Sequence, residues 1–151
     1  MTPPPTDAAA PIVRSAAFAD LSPPLLYALL RLRTDVFVVE QRCPYPELDG
    51  RDTEPDARHW WVEEEGRLVA CLRVLREDDG STRLGRVVTA PDARGRGRAA
   101  ALVRAALVDA PRPVVIDAQA HLVDWYRSLG FEVTGELFVE DGIDHLPMQL
   151  G

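Results

Sequence analysis

The stretch 90-APDARGRGRAAALVRAAL-107 contains three arginines, Arg94, Arg96 and Arg98, that alternate with Gly95 and Gly97. Two interpretations are open: an Arg/Gly-rich tail that binds nucleic acid, or a loop that holds a phosphate group where a helix begins. Apolar residues follow at helical spacing and form one continuous face: Ala99, Leu102, Val103, Ala106, Leu107 and Ala110. An Arg/Gly tail would be repetitive and would lack such a helix. The pattern therefore favours an anion site, because free amides and the positive helix end attract phosphate.

A solvated, arginine-rich helix cap without any ligand is the remaining alternative for these residues. The composition supports a single globular domain, since the chain has 151 residues, of which 46% are hydrophobic and 27% charged. A formal net charge of -7 argues against non-specific nucleic-acid binding. All 17 basic residues are arginine, so no reaction step can use a lysine as nucleophile, Schiff base or P-loop ligand.

Residues 1–10 are rich in proline and alanine and predict a disordered tail ahead of one domain over residues 11–151. No signal peptide or apolar run long enough to span a membrane is found, so we expect a cytoplasmic protein without a membrane partner. Cys43 and Cys71 lie far apart in no metal-binding or disulfide pattern, and we expect no metal. Cys71 is expected in the core and Cys43 at the surface.

The order of elements predicts a mixed α/β (α+β) fold. Helices are expected after Ser22, which can cap the first turn with Pro23 inside it, over residues 99–110, and over residues 122–129. A long irregular connection covers residues 38–58, and connections of that length often carry function. Strand patterns occupy residues 12–17, 58–64, 67–76, 82–89, 113–118, 131–139 and 143–150. We expect a central sheet of about six to seven strands with helices on both faces.

Two short motifs lie on either side of the strand pattern at residues 113–118. Arg94-Gly95-Arg96-Gly97-Arg98-Ala99 fits Arg/Gln-x-x-Gly-x-Gly/Ala between a strand and a helix, and Tyr126-Arg127-Ser128-Leu129-Gly130-Phe131 fits Tyr-x-x-x-Gly-Phe. Either motif alone is weak, but the two in this order resemble the GNAT superfamily of acyl-CoA-dependent acyltransferases. A closer similarity to the ElaA-like branch runs through residues 33–41, 43–45, 118–121 and 141–145.

The resemblance implies direct transfer of an acetyl group from acetyl-CoA to a primary amine, without a metal. It places the CoA pyrophosphate on the backbone amides of residues 96–99, with Gly95 allowing close approach and Arg94 near the loop. The preceding strand would pair with the pantetheine arm through Val87, Val88 and Thr89. Gln119 stands where many members carry asparagine, and it can still form a hydrogen bond to the cofactor.

The resemblance also assigns catalytic roles. Tyr126 would donate the proton that the leaving thiolate needs, although a tyrosine on an apolar helix face is more often a core residue. Glu40, His145 and His121 are the candidates for the base that deprotonates the amine. The acceptor end is expected to be lined by Arg33, Gln41, Tyr45 and His121, from the connection and the closing hairpin.

The sequence does not name the amine, which could be a small metabolite or a peptide. A non-catalytic acyl-CoA-binding or sensor module on the same fold is the alternative function, and a nucleic-acid-binding domain that uses Arg94 to Arg98 is a third. We expect no nucleic-acid partner. A homodimer is the expected oligomer on grounds of symmetry alone.

Overall fold

A computed structural model describes residues 11–151, so the expectation for residues 1–10 lies outside the described residues. Residues 11–151 form three α-helices and eight strands in one sheet. The helices are α1 (Pro23–Arg33), α2 (Arg98–Leu107) and α3 (Val123–Ser128). The strands are β1 (Val13–Ala17), β2 (Arg58–Glu64), β3 (Arg67–Arg76), β4 (Thr82–Thr89), β5 (Val114–Gln119), β6 (Glu132–Val133), β7 (Phe138–Glu140) and β8 (Ile143–Leu150).

The strands are ordered β1-β2-β3-β4-β5-β8-β6, and β7 also pairs with β8. The mixed α/β sheet is confirmed, but it has eight strands rather than six to seven, because the predicted strand over residues 131–139 is split into β6 and β7. Pro147 of β8 has no N–H to donate to a ladder. Its ring also lies 2.7 Å from the position that a Cβ on Gly135 would occupy, so the chain leaves the sheet there.

Only β4 and β5 run parallel among the neighbouring strands described here, and they pair at just two positions. Thr82 lies opposite Val114 and Arg83 opposite Val115, and beyond these pairs the two strands diverge. β4 also contains a bulge, since Cys71 lies opposite Val88 while Arg73 lies opposite Gly85, which leaves one extra residue in β4. The divergence opens the sheet at the carboxyl ends of β4 and β5.

Helices cover both faces of the sheet, as the sequence predicts. One face packs α2 and α3 against the strands, with Leu72, Leu102 and Ile116 fully buried among them. The other face packs α1 against Cys71 and Val88. Successive side chains of a strand point to opposite faces, which explains why Cys71 and Leu72 belong to different clusters. The placement of Cys71 in the core is confirmed.

The helix predicted after Ser22 begins as expected, because the Ser22 hydroxyl accepts a hydrogen bond from the Leu25 amide at 3.3 Å. After α1 the chain continues as a π-helical segment, Thr34–Glu40. The Thr34 hydroxyl donates to the Leu30 carbonyl oxygen at 2.9 Å where the helix widens. π-Helical turns in α-helices often occur at functional sites. This one ends with Glu40 at the opening in the sheet.

The irregular connection, residues 41–57, is fastened to the sheet by buried charges. Arg33 donates to Asp52 at 2.6 and 3.3 Å and to the Glu47 backbone oxygen at 3.3 Å. Arg73 donates to both Asp49 carboxylate oxygens at 2.9 Å. We call this set the ion-pair cluster; it consists of Arg33, Arg73, Arg86, Glu47, Asp49 and Asp52.

The three arginines of the cluster balance its three carboxylates, which is the condition for burying charge at low cost. His59 of β2 lies under the cluster, fully buried, with Nε2 3.1 Å from the Asp52 backbone oxygen. It is therefore a structural residue.

We predict that His59 makes the fold less stable in acid. Burial lowers the pKa of the imidazole below its ordinary value of 6.5, so the unfolded chain binds a proton that the folded chain does not. The contribution of His59 is present above the unfolded pKa and is lost as the pH falls below it, by up to about 1.4 kcal/mol per pH unit.

The measurement is the free energy of unfolding in urea between about pH 7 and pH 5.5. His59→Gln keeps a donor for the Asp52 oxygen and does not titrate, so its slope should be shallower than that of the wild type. Equal slopes in the two proteins would contradict the prediction.

Candidate active site

The divergence of β4 and β5 creates a cleft of about 620 Å³. Its walls come from the second half of β4, the end of β5, the beginning of α2, the end of the π-helical segment and α3. Such an opening at the carboxyl ends of neighbouring parallel strands is a common position for ligand sites in α/β sheets. We call this space the cleft.

One end of the cleft lies at the beginning of α2. Gly95 and Gly97 adopt the left-handed region, with φ of 79° and 76°, which glycine reaches without strain. Gly97 is the N-cap residue, and no side chain caps the helix there. The amides of residues 98–100 therefore lack the intrahelical partners that later residues have, and they can donate to an anion in the cleft.

The arginines around this loop are not all directed at the cleft. Arg94 lines it, donating to the Thr89 backbone oxygen at 3.2 Å and pairing with both oxygens of Glu40 at 2.9 and 3.0 Å. Arg98 also lines it, but its guanidinium pairs with Glu64 and donates to the Arg96 backbone oxygen at 2.9 Å. The anion site is therefore built mainly from backbone amides.

The wall contributed by β4 presents backbone that has no strand partner on the cleft side. β5 pairs with β4 only at Thr82 and Arg83, so residues 85–89 face the cleft without β5 opposite them. Val87, Val88 and Thr89 all line the cleft. An extended ligand arm could pair with this backbone in the manner of an added strand. Val88 is also a core residue with 4% exposure, so its contribution to the cleft is made by the backbone.

Tyr126 of α3 is both a core residue and a cleft residue. Its ring packs edge-on against Trp125 at 4.8 Å and Phe131 at 5.8 Å between centroids, and the residue is 7% exposed. It nevertheless lines the cleft. Burial raises the pKa of the phenol well above its ordinary value. The hydroxyl therefore carries its proton at neutral pH, as a general acid must.

A second cavity of about 430 Å³ adjoins the cleft, between the connection and the turn that joins β7 to β8. Five residues line both spaces and mark their junction: Gln41, Tyr45, Arg86, Gln119 and His145. The side-chain amides of Gln41 and Gln119 donate to each other's oxygens at 3.5 and 3.2 Å. This reciprocal pair joins the connection to the end of β5.

His145 is held in one orientation at the junction. Its Nδ1 lies 2.8 Å from the Ile143 backbone oxygen, and its ring stacks on Phe138 with 5.6 Å between centroids. A carbonyl oxygen only accepts, so Nδ1 carries the proton and Nε2 of the neutral ring has a free lone pair. That lone pair is the acceptor that a base for the amine requires.

These features have close counterparts in known proteins. The family described as Acetyltransferase (GNAT) domain matches residues 33–151. The chain belongs to the GNAT acetyltransferase family. The UPF0039 protein Rv2851c of Mycobacterium tuberculosis is 48% identical over 134 residues, which cover 85% of this chain and 86% of that protein.

Two solved structures share the whole architecture of this GNAT protein. The structure of Escherichia coli ElaA has a TM-score of 0.85 and 37% identity, and covers 93% of this chain and 99% of that one. An acyl-CoA N-acyltransferase from Pseudomonas aeruginosa has a TM-score of 0.84 and 41% identity, with the same two coverages of 93% and 99%. The predicted similarity to the ElaA-like branch is confirmed, and acyl transfer is the reaction class of the family.

The GNAT structure brings most of the predicted site residues to the cleft. Those that line it, beyond the residues already placed, include His121, which is exposed between β5 and α3, and Ala99 in the first turn of α2. No group of three or more His, Cys, Asp or Glu side chains within residues 11–151 is arranged to hold a metal ion. No helix in the same part of the chain is long and apolar enough to cross a membrane.

Arg96 is exposed and is not among the residues that line the cleft, and the expected contact of its backbone amide stays a prediction. Two expectations need correction. Arg33 does not reach the cleft: it is 1% exposed, and its guanidinium pairs with Asp52 and Glu47 in the ion-pair cluster. Cys43 is buried rather than exposed, because the connection folds over it and its thiol donates to the Asp141 backbone oxygen at 2.7 Å.

Arg86 is the residue at the junction that sequence analysis missed. An isolated glycine inside a strand pattern indicates a bulge, and Gly85 in the predicted strand 82–89 was that signal. Arg86 follows it and adopts a φ of 54° in the bulge of β4.

We predict that Gly97→Asp greatly weakens the binding of coenzyme A, because it adds a carboxylate where the helix amides attract an anion. Gly80→Asp, in the turn between β3 and β4, is the matched control. Both glycines have a left-handed φ, 76° and 89°, and a Cβ at either position would meet no atom within 4 Å.

Calorimetric titration with coenzyme A measures the effect, and Gly97→Asp should raise the dissociation constant by at least about tenfold. Gly80→Asp should bind as the wild type does. Equal binding by the two variants would mean that the beginning of α2 does not hold the ligand.

Proposed function

We propose that this protein transfers an acetyl group from acetyl-CoA directly to a primary amine of a small-molecule or peptide acceptor. The observation that carries the proposal is the order of features along the cleft and the adjoining cavity. It runs from the uncapped beginning of α2, along the unpaired edge of β4, past Tyr126, to the second cavity. An acyl-CoA has an anionic end, an extended arm and a reactive thioester in the same order.

The acyl donor would be held mainly by backbone. The amides of residues 98–100 would bind the pyrophosphate, helped by the close approach that Gly95 and Gly97 permit. Residues 87–89 would pair with the amides of the pantetheine arm. Binding through backbone hydrogen bonds involves no covalent attachment. The co-substrate can therefore leave after every turnover.

The second cavity would hold the acceptor. It shares its junction residues with the cleft, so an amine held there would lie across those side chains from a thioester in the cleft. The Gln41 and Gln119 amides and the Tyr45 hydroxyl supply uncharged hydrogen-bonding groups at this point. In this arrangement Gln119 contacts the acceptor side as well as the donor side.

The reaction then balances as follows. A protonated amine first gives one proton to Nε2 of His145, which frees the nitrogen lone pair. The nitrogen attacks the thioester carbonyl carbon, a C–N bond forms and the C–S bond breaks. The thiolate takes a proton from Tyr126, and the proton that the nitrogen loses as the amide forms returns to the Tyr126 oxygen through solvent. His145 releases its proton to solvent, so acetylated amine and free thiol are the products.

Between the candidate bases, the geometry favours His145 over Glu40. Both Glu40 oxygens are engaged by Arg94, and neither is free to take a proton without breaking that pair. Nε2 of His145 is free by contrast, and its ring is oriented by Ile143 and Phe138.

Replacing Tyr126 by phenylalanine tests catalysis directly. The phenyl ring preserves the packing against Trp125 and Phe131 and removes only the proton donor. We expect kcat to fall about 100-fold or more, with the affinity for acetyl-CoA unchanged. If the wild type binds acetyl-CoA but acetylates no amine in a broad screen, the protein is an acyl-CoA-binding module instead.

Replacing His145 by glutamine tests the base. Glutamine fills a similar space but has no basic nitrogen. We therefore expect kcat/KM for the amine to fall about 100-fold. His121→Gln and Glu40→Gln serve as comparisons in the same assay. A large loss in Glu40→Gln with little loss in His145→Gln would transfer the role to Glu40.

A further inference from the structure

We propose that Arg86 is a positioning residue for the acceptor, which holds Tyr45 in place as a wall between the cleft and the second cavity. The inference rests on the proposed function for its kinetic consequence. Its structural part, that Arg86 fixes the connection, can be tested without any turnover.

The bulge in β4 is what directs Arg86 to the connection. The extra residue in β4 and the left-handed φ of 54° interrupt the regular alternation of side chains along the strand. Only a few per cent of non-glycine residues adopt this region, and the conformation is strained. Such a conformation persists where the surrounding contacts hold it, and here those contacts come from the connection.

Arg86 makes four contacts with residues 45–49. Its guanidinium forms an ion pair with the Glu47 carboxylate, donates to the Glu47 backbone oxygen at 3.2 Å and donates to Asp49 at 3.3 Å. It also lies 5.7 Å from the centre of the Tyr45 ring, within the range of a cation–π interaction. No other side chain of β4 contacts this part of the connection in these ways among the described residues.

Glu47 depends on Arg86 because it is buried. The Glu47 side chain is 3% exposed. Its second charged partner is Arg33, at 3.4 Å, but Arg33 lies closer to Asp52, at 2.6 Å. Without Arg86, Glu47 would retain only Arg33 and the Tyr45 hydroxyl, each 3.4 Å away. A buried carboxylate that loses its main partner must move toward water or take up a proton.

A movement of Glu47 would carry Tyr45 with it. The Tyr45 hydroxyl donates to Glu47 at 3.4 Å, two residues away, and Tyr45 lines both the cleft and the second cavity. Nη2 of Arg86 donates to the Glu47 backbone oxygen and to Asp49, and Nε faces the Glu47 carboxylate, so this edge of the guanidinium is turned to the connection. Arg86 therefore acts on the acceptor through Tyr45 rather than by binding it.

The test compares Arg86→Gln, Arg86→Lys and Arg83→Gln. Arg83 is the matched control, because it lies on the same strand and is similarly exposed, 34% against 22%, but pairs with Glu77 and Asp117 rather than with residues 45–49. Lysine at position 86 keeps one charge but cannot bridge Glu47, Asp49 and the Tyr45 ring together. It should therefore rescue part of the effect.

The first readout is amide hydrogen exchange. In Arg86→Gln, exchange over residues 41–57 should be at least about tenfold faster, with α2 unchanged. Arg83→Gln should match the wild type, and Arg86→Lys should lie between the two. Wild-type exchange over residues 41–57 in Arg86→Gln would overturn the inference, whatever the protein's activity.

The second readout is steady-state kinetics with an accepted amine. The KM for the amine should rise about tenfold in Arg86→Gln, while kcat and the KM for acetyl-CoA change less than about threefold. A purely structural role would lower kcat and raise both KM values together, and that result would also overturn the inference. Faster exchange confined to residues 41–57 in a protein that acetylates no amine would sink the proposed function but keep the positioning role of Arg86.

Discussion

The early divergence of β4 and β5 is the constraint on which the rest of this structure depends. Two residue pairs, Thr82 with Val114 and Arg83 with Val115, hold the only parallel interface between neighbouring strands in the described chain. Thr82 reinforces it, since its hydroxyl donates to the Pro111 backbone oxygen at 2.7 Å and its amide donates to the Pro113 oxygen at 3.0 Å. Beyond this anchor, each strand keeps its antiparallel neighbour and loses its parallel one.

That loss is tolerated because backbone groups facing an open cleft can bind water, whereas the same groups in a closed core could not. It also leaves two polar edges opposite each other, separated by enough space for a ligand. The beginning of α2 lies at one end of this gap and the β7–β8 turn at the other. A single interruption in pairing thus produces both the cleft and its junction with the second cavity.

The ion-pair cluster holds the connection in one position. The connection (residues 41–57) is 17 residues long and has no regular secondary structure, yet it forms a fixed wall. Such a segment has few apolar side chains to bury, so hydrophobic packing alone would hold it weakly. Three arginines reach into it, Arg33 from α1, Arg73 from β3 and Arg86 from β4. Each forms ion pairs with carboxylates of the connection. Directional contacts between charges specify one conformation where packing would allow several.

Much of this could be read from the sequence, because local patterns carry it. The alternation of glycine and arginine before an amphipathic face located the beginning of α2, and the two motifs identified the family. The partner of Arg33 could not be found in that way, since helical spacing places Arg33 on a face without saying whether a cleft or a carboxylate faces it. Its partners, Glu47 and Asp52, lie in a segment with no periodicity.

Other features were inaccessible for the same kind of reason. The division of residues 131–139 into two strands depends on Pro147 in a different strand, which no local pattern over residues 131–139 reports. The free Nε2 of His145 depends on a hydrogen bond with the Ile143 backbone. The role of Arg86 depends on a bulge that Gly85 only indicated. Each is a long-range or geometric fact rather than a compositional one.

The ion pair between Arg94 and Glu40 has a consequence for how the cleft opens. It spans the space between the anion site and the acceptor side, and both side chains are more than 40% exposed, at 43% and 42%. An exposed pair of this kind is worth at most about 1 kcal/mol. An incoming phosphate could therefore displace this ion pair at a cost of no more than about fivefold in its affinity. If Arg94 turned from Glu40 to such an anion, the Glu40 carboxylate would be left without its ion-pair partner on the opposite wall.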